Sequence, residues 1–218
     1  MALDQGTSSS RAIIYDVTGQ IITIAQTDIE LFLPADGWVE QDPEQLWHSI
    51  LTVGRQAIAQ SGLAADAIKA IGITNQRETT LLWERASGKC VHNALVWQDR
   101  RSAARCQLME DDTLADGRRV AQAISDITGL IIDPYFSSTK LAWLLDNVAD
   151  ARRAAQDGQL CFGTVDSFLL WKLSKGRTHV TDATNASRTQ LFDINEQSWS
   201  QELLDYFDIP LALPPRAL

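Results

Sequence analysis

The stretch from Asp42 to Thr74 constrains the fold more than any other. Asp42-Pro43-Glu44-Gln45 reads as a helix start. Asp42 supplies a capping carboxylate, Pro43 suits the first helical position because its missing N–H is not needed there, and Gln45 completes a capping box. Leu46, Trp47, Ile50, Leu51, Val53, Ala57 and Ile58 then recur at helical spacing, which predicts one face packed on a sheet. Ser61-Gly62 stops the helix. The next apolar run, Ile68 to Thr74 (IKAIGIT), is short and β-branched. It predicts a buried parallel strand reached by a crossover.

The flanking sequence extends this pattern. Arg11 to Val17 and Gln20 to Thr27 read as strands joined at Thr18-Gly19, a hairpin. Thr80 to Trp83 and Ala94 to Trp97 read as further short strands. Helical patterns cover Arg101 to Met109, Gly117 to Ile127, Ser138 to Asp146, Ser167 to Leu173 and Ser198 to Tyr206, with Leu141, Leu144 and Leu145 as a core stripe. The fold class is therefore α/β, a mixed sheet with helices on both faces. A net charge of -9 argues against a general nucleic-acid or anionic-membrane surface but leaves room for a local anion site. The three cysteines, Cys90, Cys106 and Cys161, form no CxxC pair and suit reduced thiols in a cytoplasm. No basic leader with an apolar core opens the chain, and no apolar run is long enough to span a bilayer.

Four polar clusters carry candidate chemistry. The first is the opening turn, MALDQGTSSSRAIIYD, where Asp4 precedes Gly6, four consecutive hydroxyl residues and Arg11. Short hydroxyl side chains and backbone N–H groups in a tight turn suit a phosphate, and a carboxylate at a strand end suits water-bridged Mg²⁺. A polar hairpin capped by Ser and Gly has the same composition. The second cluster, Asn75-Gln76-Arg77-Glu78-Thr79-Thr80, follows a strand, where open α/β sheets bind ligands. Its adjacent Arg and Glu offer donors and acceptors to a polyol, or simply a solvated ion pair. The third and fourth, Trp97-Gln98-Asp99-Arg100-Arg101 and Asp133-Pro134-Tyr135-Phe136, bring aromatics for a small pocket or for the core. His48, His92 and His179 lie in no triad or metal-ligand pattern.

The blocks ALDQGTSSSR, ITNQRETT, LVWQDRR, DPYFSSTKLAWLLD, FGTVDSFLLWKL and TDATNASRTQLFDI resemble those of the FGGY carbohydrate kinases, in family order and over nearly the whole chain. Within that family they are most similar to the branch acting on glycerol. The resemblance implies an actin-like, ribonuclease-H-like ATPase fold, with residues 1–218 as the N-terminal domain and ATP held between it and a second such domain. It implies phosphorylation of glycerol to sn-glycerol 3-phosphate by Mg-ATP, in a full-length protein that is a homo-oligomer. Carried over by position, Gly6, Thr7, Ser8, Ser9 and Arg11 meet the ATP phosphates and Asp4 lies near Mg²⁺. Arg77 and Glu78 grip glycerol hydroxyls, and Trp97 and Tyr135 wall the pocket. Ser8 stands where Thr is common in the family. The family's base is an aspartate in a Gly-Asp-Gln block, and no Gly-Asp-Gln occurs in this sequence. The resemblance thus places no catalytic base among these residues and predicts that the 218-residue chain folds without catalysing. Two other readings stand beside it: a kinase of the same family acting on ribulose or xylulose, and a non-catalytic actin-like binding module.

Overall fold

The computed structural model describes residues 1–218, which divide into two compact units. The first unit comprises Met1–Phe32 and Gln41–Gln76. Its strands are β1 (Ala2–Gln5), β2 (Ser9–Tyr15) and β3 (Ile21–Asp28); the two-residue strand β4 (Glu40–Gln41), helix α1 (Pro43–Ser61) and strand β5 (Gly72–Asn75) follow. Its sheet has the order β3-β2-β1-β5. β2 runs antiparallel to β1 and to β3, while β5 is parallel to β1. The sheet is thus mixed, as the alternating β and α pattern requires.

Helix α1 forms where its signals predict. Asp42 accepts a hydrogen bond from the Glu44 N–H at 2.9 Å, Pro43 opens the helix, and Gly62 closes it in the left-handed region at φ 68°. Leu46, Ile50, Val53 and Ala57 are buried, as are Leu3, Ala12, Ile14 and Ala25 on the sheet. Three expectations are corrected. Gln45 does not complete a capping box: its Oε1 accepts from the Glu30 N–H at 3.1 Å, a tertiary partner. The strand read from IKAIGIT is parallel, but it covers only Gly72–Asn75 at the sheet edge and is largely exposed. Helices do not cover both faces of this sheet, since Ile22 and Ile24, which point away from the α1 side, remain 44% and 48% exposed.

The second unit comprises Leu33–Glu40 and Arg77–Leu218. Its strands and helices are β6 (Leu81–Glu84), β7 (Ala94–Leu95), α2 (Ala103–Met109), α3 (Val120–Thr128), α4 (Ser137–Asn147), α5 (Ala151–Gln156), β8 (Leu160–Gly163), α6 (Val165–Leu173), β9 (Val180–Thr181), α7 (Ala183–Ala186), β10 (Phe192–Asp193), β11 (Ser198–Trp199), α8 (Gln201–Tyr206) and β12 (Arg216–Ala217). β6 and β8 pair antiparallel. The core packs Leu82 and Phe162 from that ribbon against Leu141, Leu144 and Leu145 of α4, Ile124 of α3 and Phe207 after α8. The expected helix from Ser198 starts later. Ser198–Trp199 pairs with Phe192–Asp193, and Ser200 caps α8 by accepting from the Leu203 N–H at 3.3 Å. The Phe192 and Trp199 rings meet edge-on at 5.4 Å, a cross-strand contact that favours the hairpin.

Residues 33–40 are held to the second unit by a buried ionic cluster. The Arg101 guanidinium donates to Asp99 at 2.9 Å from both Nε and Nη2, and Nη2 also reaches Glu40 at 2.7 Å. It lies 3.9 Å from the ring centre of Trp38 and 4.5 Å from that of Trp143. The Val39 N–H donates to Asp99 Oδ2 at 2.6 Å, and the Val96 N–H to the Val39 carbonyl at 3.0 Å.

Candidate functional site

The opening turn joins β1 to β2. Its Gly6 N–H donates to the Ser9 carbonyl at 2.9 Å, and a Cβ on Gly6 would lie 3.2 Å from that oxygen, too tight to be tolerated without adjustment. The turn is braced by three glutamines. Gln5 Nε2 donates to the Gly6 carbonyl at 2.7 Å, and Gln41 Nε2 to the Thr7 carbonyl at 2.7 Å. Gln76 Nε2 reaches Gln41 Oε1 at 2.7 Å, Gln5 Oε1 at 3.1 Å and the Gly6 carbonyl at 3.3 Å. The Ser8 carbonyl accepts from the Ile29 N–H at 2.9 Å. Each carbonyl from Gly6 to Ser9 therefore already serves a protein donor. With its carbonyls so occupied, the turn presents donors such as the hydroxyls of Ser8 and Ser9 to an incoming group, which suits an anion.

Asp4 and Arg11 face each other across β1 and β2. They form an ion pair at 3.6 Å with Asp4 38% exposed, and Arg11 Nε also donates to Gln26 Oε1 at 3.0 Å. Asp4 is a single, partly exposed carboxylate, a donor of the kind that would hold Mg²⁺ through its water shell. No group of three or more His, Cys, Asp or Glu side chains is placed to cage a metal. Of the four consecutive hydroxyls, Ser10 turns inward, its Oγ 2.7 Å from Ser49 Oγ.

The second group of candidate residues is built in the other unit. Glu78 is buried with φ at 62°, and the Thr79 N–H donates to the Arg77 carbonyl at 2.7 Å across it. A three-residue turn of this hand at a non-glycine residue is strained and persists only where its surroundings fix it. Ser137 Oγ donates to the Glu78 carbonyl at 3.1 Å. Trp97 and Tyr135, both half-buried, meet edge-on with ring centres 5.5 Å apart. The structure thus brings Tyr135 together with Trp97 and, through Arg188, with Glu78, while Arg77, next to Glu78 in the chain, is exposed.

Two residues outside the expected set hold this group in place. Arg188 Nε donates to Glu78 Oε1 at 2.6 Å, and its guanidinium lies 5.9 Å from the Tyr135 ring centre. Lys140 is fully buried, with Nζ donating to the carbonyls of Pro134 at 2.7 Å, Tyr135 at 2.5 Å and Phe136 at 3.1 Å. Arg188 acts across 110 residues of sequence, whereas Lys140 ties down the turn just before its own helix. The Asp99-Arg100-Arg101 stretch, a candidate pocket segment in the sequence, supplies the buried cluster around residues 33–40 instead.

Burial pushes the Lys140 ammonium down to about 7 from 10.5, against the pull of Asp99 and Glu78. Between those values the unfolded chain keeps the proton that the folded chain has released, so stability rises with pH across that window. Burial raises the thiols of Cys106 and Cys161 from 9.0 to about 11, so their opposing effect begins above pH 9. Urea unfolding should therefore show stability rising by about 1–2 kcal/mol from pH 7 to 9. Lys140→Met should abolish that slope; an unchanged slope would mean that another group supplies it.

The family model described as FGGY family of carbohydrate kinases, N-terminal domain, matches residues 1–217, and the chain belongs to that family. The chain is 55% identical over 216 residues to a protein named glycerol kinase from Rhodospirillum centenum, covering 99% of this chain and 42% of that protein. It thus spans about two fifths of the length of such relatives. Among solved structures, Plasmodium falciparum glycerol kinase with ADP superposes with a TM-score of 0.91 at 31% identity, over 99% of this chain and 42% of that one. Ligand-bound xylulose kinase from Lactobacillus acidophilus superposes at 0.86 with 22% identity, over 99% and 41%, a likeness of fold alone. The α/β architecture is that of the actin-like ATPase domains of these kinases.

Proposed function

We propose that this chain supplies the phosphate- and glycerol-binding residues of an enzyme that phosphorylates glycerol to sn-glycerol 3-phosphate with Mg-ATP. The observation that carries the reading is the opening turn, whose carbonyls from Gly6 to Ser9 all serve protein donors. Phosphoryl transfer asks for positioning and charge neutralisation more than for covalent help from the protein. Gly6, Thr7, Ser8 and Ser9 line that turn, and Arg11 adds a fixed positive charge beside it. Bound Mg²⁺ would neutralise charge on the phosphates, and Asp4 is the carboxylate placed to hold its water shell. Glu78 and Arg77 bind the hydroxyls of glycerol, while Trp97 and Tyr135 pack on its carbon backbone. Relatives named glycerol kinase support glycerol over a pentulose. The base that takes the hydroxyl proton is not assigned to any of these residues. A cytoplasmic setting agrees with the three free cysteines. No helix is long and apolar enough to cross a membrane.

Steady-state kinetics on the full-length protein test this reading. Removing one charged partner of a small polyol costs about 1.5–3 kcal/mol. Glu78→Ala and Arg77→Ala should therefore each raise the KM for glycerol by about 10–100-fold. Wild-type kinetics in both variants would remove the glycerol assignment.

A further inference from the structure

We infer that Arg188 is a positioning residue for the polyol site, acting through Glu78 and Tyr135. The inference rests on the glycerol reading for the identity of the substrate, but its geometry stands apart from it. Arg188 and Glu78 are 110 residues apart in sequence, yet Nε and Oε1 are 2.6 Å apart. The Glu78 side chain is 3% exposed and that of Arg188 is 28% exposed. A buried carboxylate needs a charged partner, and a guanidinium fixes orientation as well as charge because it is planar.

The same guanidinium lies over two aromatic rings, 5.1 Å from the centre of Phe136 and 5.9 Å from that of Tyr135. One planar group therefore sets both the acidic and the phenolic side of the candidate pocket. Arg188 is itself held by its neighbours. Its N–H donates to the Asn185 carbonyl at 3.0 Å, while the Thr189 carbonyl accepts from the Ser138 N–H at 2.9 Å. Gln190, buried and at φ 64°, donates to the Ile131 carbonyl at 2.6 Å and accepts from Ser138 Oγ at 2.6 Å. Residues 188–190 are thus tied to the first turn of α4, directly after Tyr135. Strain at Glu78, the ring of Tyr135 and the start of α4 are fixed together, with the Arg188 guanidinium paired to the Glu78 carboxylate and set near the Tyr135 ring.

Arg188 engages Oε1, so the orientation it imposes decides where the second oxygen, Oε2, is presented to a substrate hydroxyl. Loss of Arg188 should leave the chemistry intact and blur this presentation. The test is a double-mutant cycle in the full-length protein with Arg188→Gln, Glu78→Ala and the pair, measured with glycerol and Mg-ATP. Arg188→Gln should raise the KM for glycerol by about 10-fold or more, with kcat within about threefold and the KM for ATP unchanged. The double variant should be worse than Glu78→Ala alone by much less than the factor that Arg188→Gln produces by itself, because most of the effect of Arg188 runs through Glu78 and the remainder through Tyr135. Arg188→Lys, which keeps the charge and loses the plane, should recover part of the affinity and serves in place of Arg188→Gln if that variant does not fold. Multiplicative effects of the two substitutions, or a lower melting temperature with an unchanged glycerol KM, would overturn the inference. If the wild type turns over a different polyol and not glycerol, the reading of the substrate fails; the same cycle run on that polyol still decides the role of Arg188.

Discussion

Asp4→Ala in the full-length protein should lower turnover with glycerol and Mg-ATP by about 10²–10³-fold, the range for loss of one preorganised electrostatic group. The KM for glycerol should move by less than about threefold, because in the proposed role Asp4 acts on charge that grows toward the transition state. The structure sharpens the expectation. Asp4 is paired with Arg11 at 3.6 Å, so its removal frees a cation beside the opening turn. Binding of ATP without Mg²⁺ should then be retained or tightened while turnover collapses. A purely structural Asp4 gives the opposite pattern, a lower melting temperature with turnover intact. Measuring kcat, metal-free nucleotide binding and thermal unfolding on one variant separates the two.

Arg101→Met should destabilise the protein by about 3–5 kcal/mol, since it leaves two buried carboxylates facing each other without their cation. Asp99 and Arg101 are fully buried at their side chains and Glu40 nearly so. The loss should appear as a melting temperature lower by about 6–20 °C for a chain of this length. Arg101 Nη1 has no hydrogen-bond partner, so the cluster is imperfectly satisfied even when whole. Replacing Glu40, Asp99 and Arg101 together with apolar residues of similar volume should recover part of that loss, the remainder reflecting the backbone N–H groups of residues 39 and 101 that lose Asp99 as acceptor. Denaturant unfolding of the single and triple variants checks both statements. A loss below about 1 kcal/mol in Arg101→Met would show that the cluster is open to water, as surface pairs are.

How far the sequence could be read depended on the range of the interaction. Helix α1 was legible because Asp42, Pro43 and Gly62 act within a few residues of themselves. Gln45 was misread for the complementary reason: a local rule sees Asp42 nearby and not the Glu30 amide that takes the side chain. The apolar run before Asn75 gave the parallel direction of β5 but not its exposure, since a β-branched pattern does not say whether a strand lies at a sheet edge. Trp199 fits a helix as well as a strand until its ring is seen to meet Phe192 edge-on across the hairpin. The same division holds at the candidate site. The turn from Gly6 to Ser9, Glu78, and the Trp97–Tyr135 pair lie inside contiguous blocks. Lys140 and Arg188 lie inside such blocks too, but nothing in the blocks says which groups they serve, and the partners of Gln41 and Arg188 are set by tertiary packing, 34 and 110 residues away.

The excursion of residues 33–40 into the second unit has a bearing on how the chain is made. Synthesis runs from the N-terminus, and Val39 must wait for Asp99, 60 residues later, while Glu40 waits 61 residues for Arg101. At about 5–20 residues per second on a ribosome, that delay lasts roughly 3–12 s. Strand β5, which completes the first sheet, ends at Asn75 and so emerges before either partner. The first unit can close its sheet while Trp38 and Glu40 still dangle as an unanchored loop. Trp38 gains the full stack only once Trp143 has been translated. During that interval the nascent protein displays an indole and an unpaired carboxylate side by side, and the pace of elongation through Asp99 and Arg101 sets how long chaperones have to meet them.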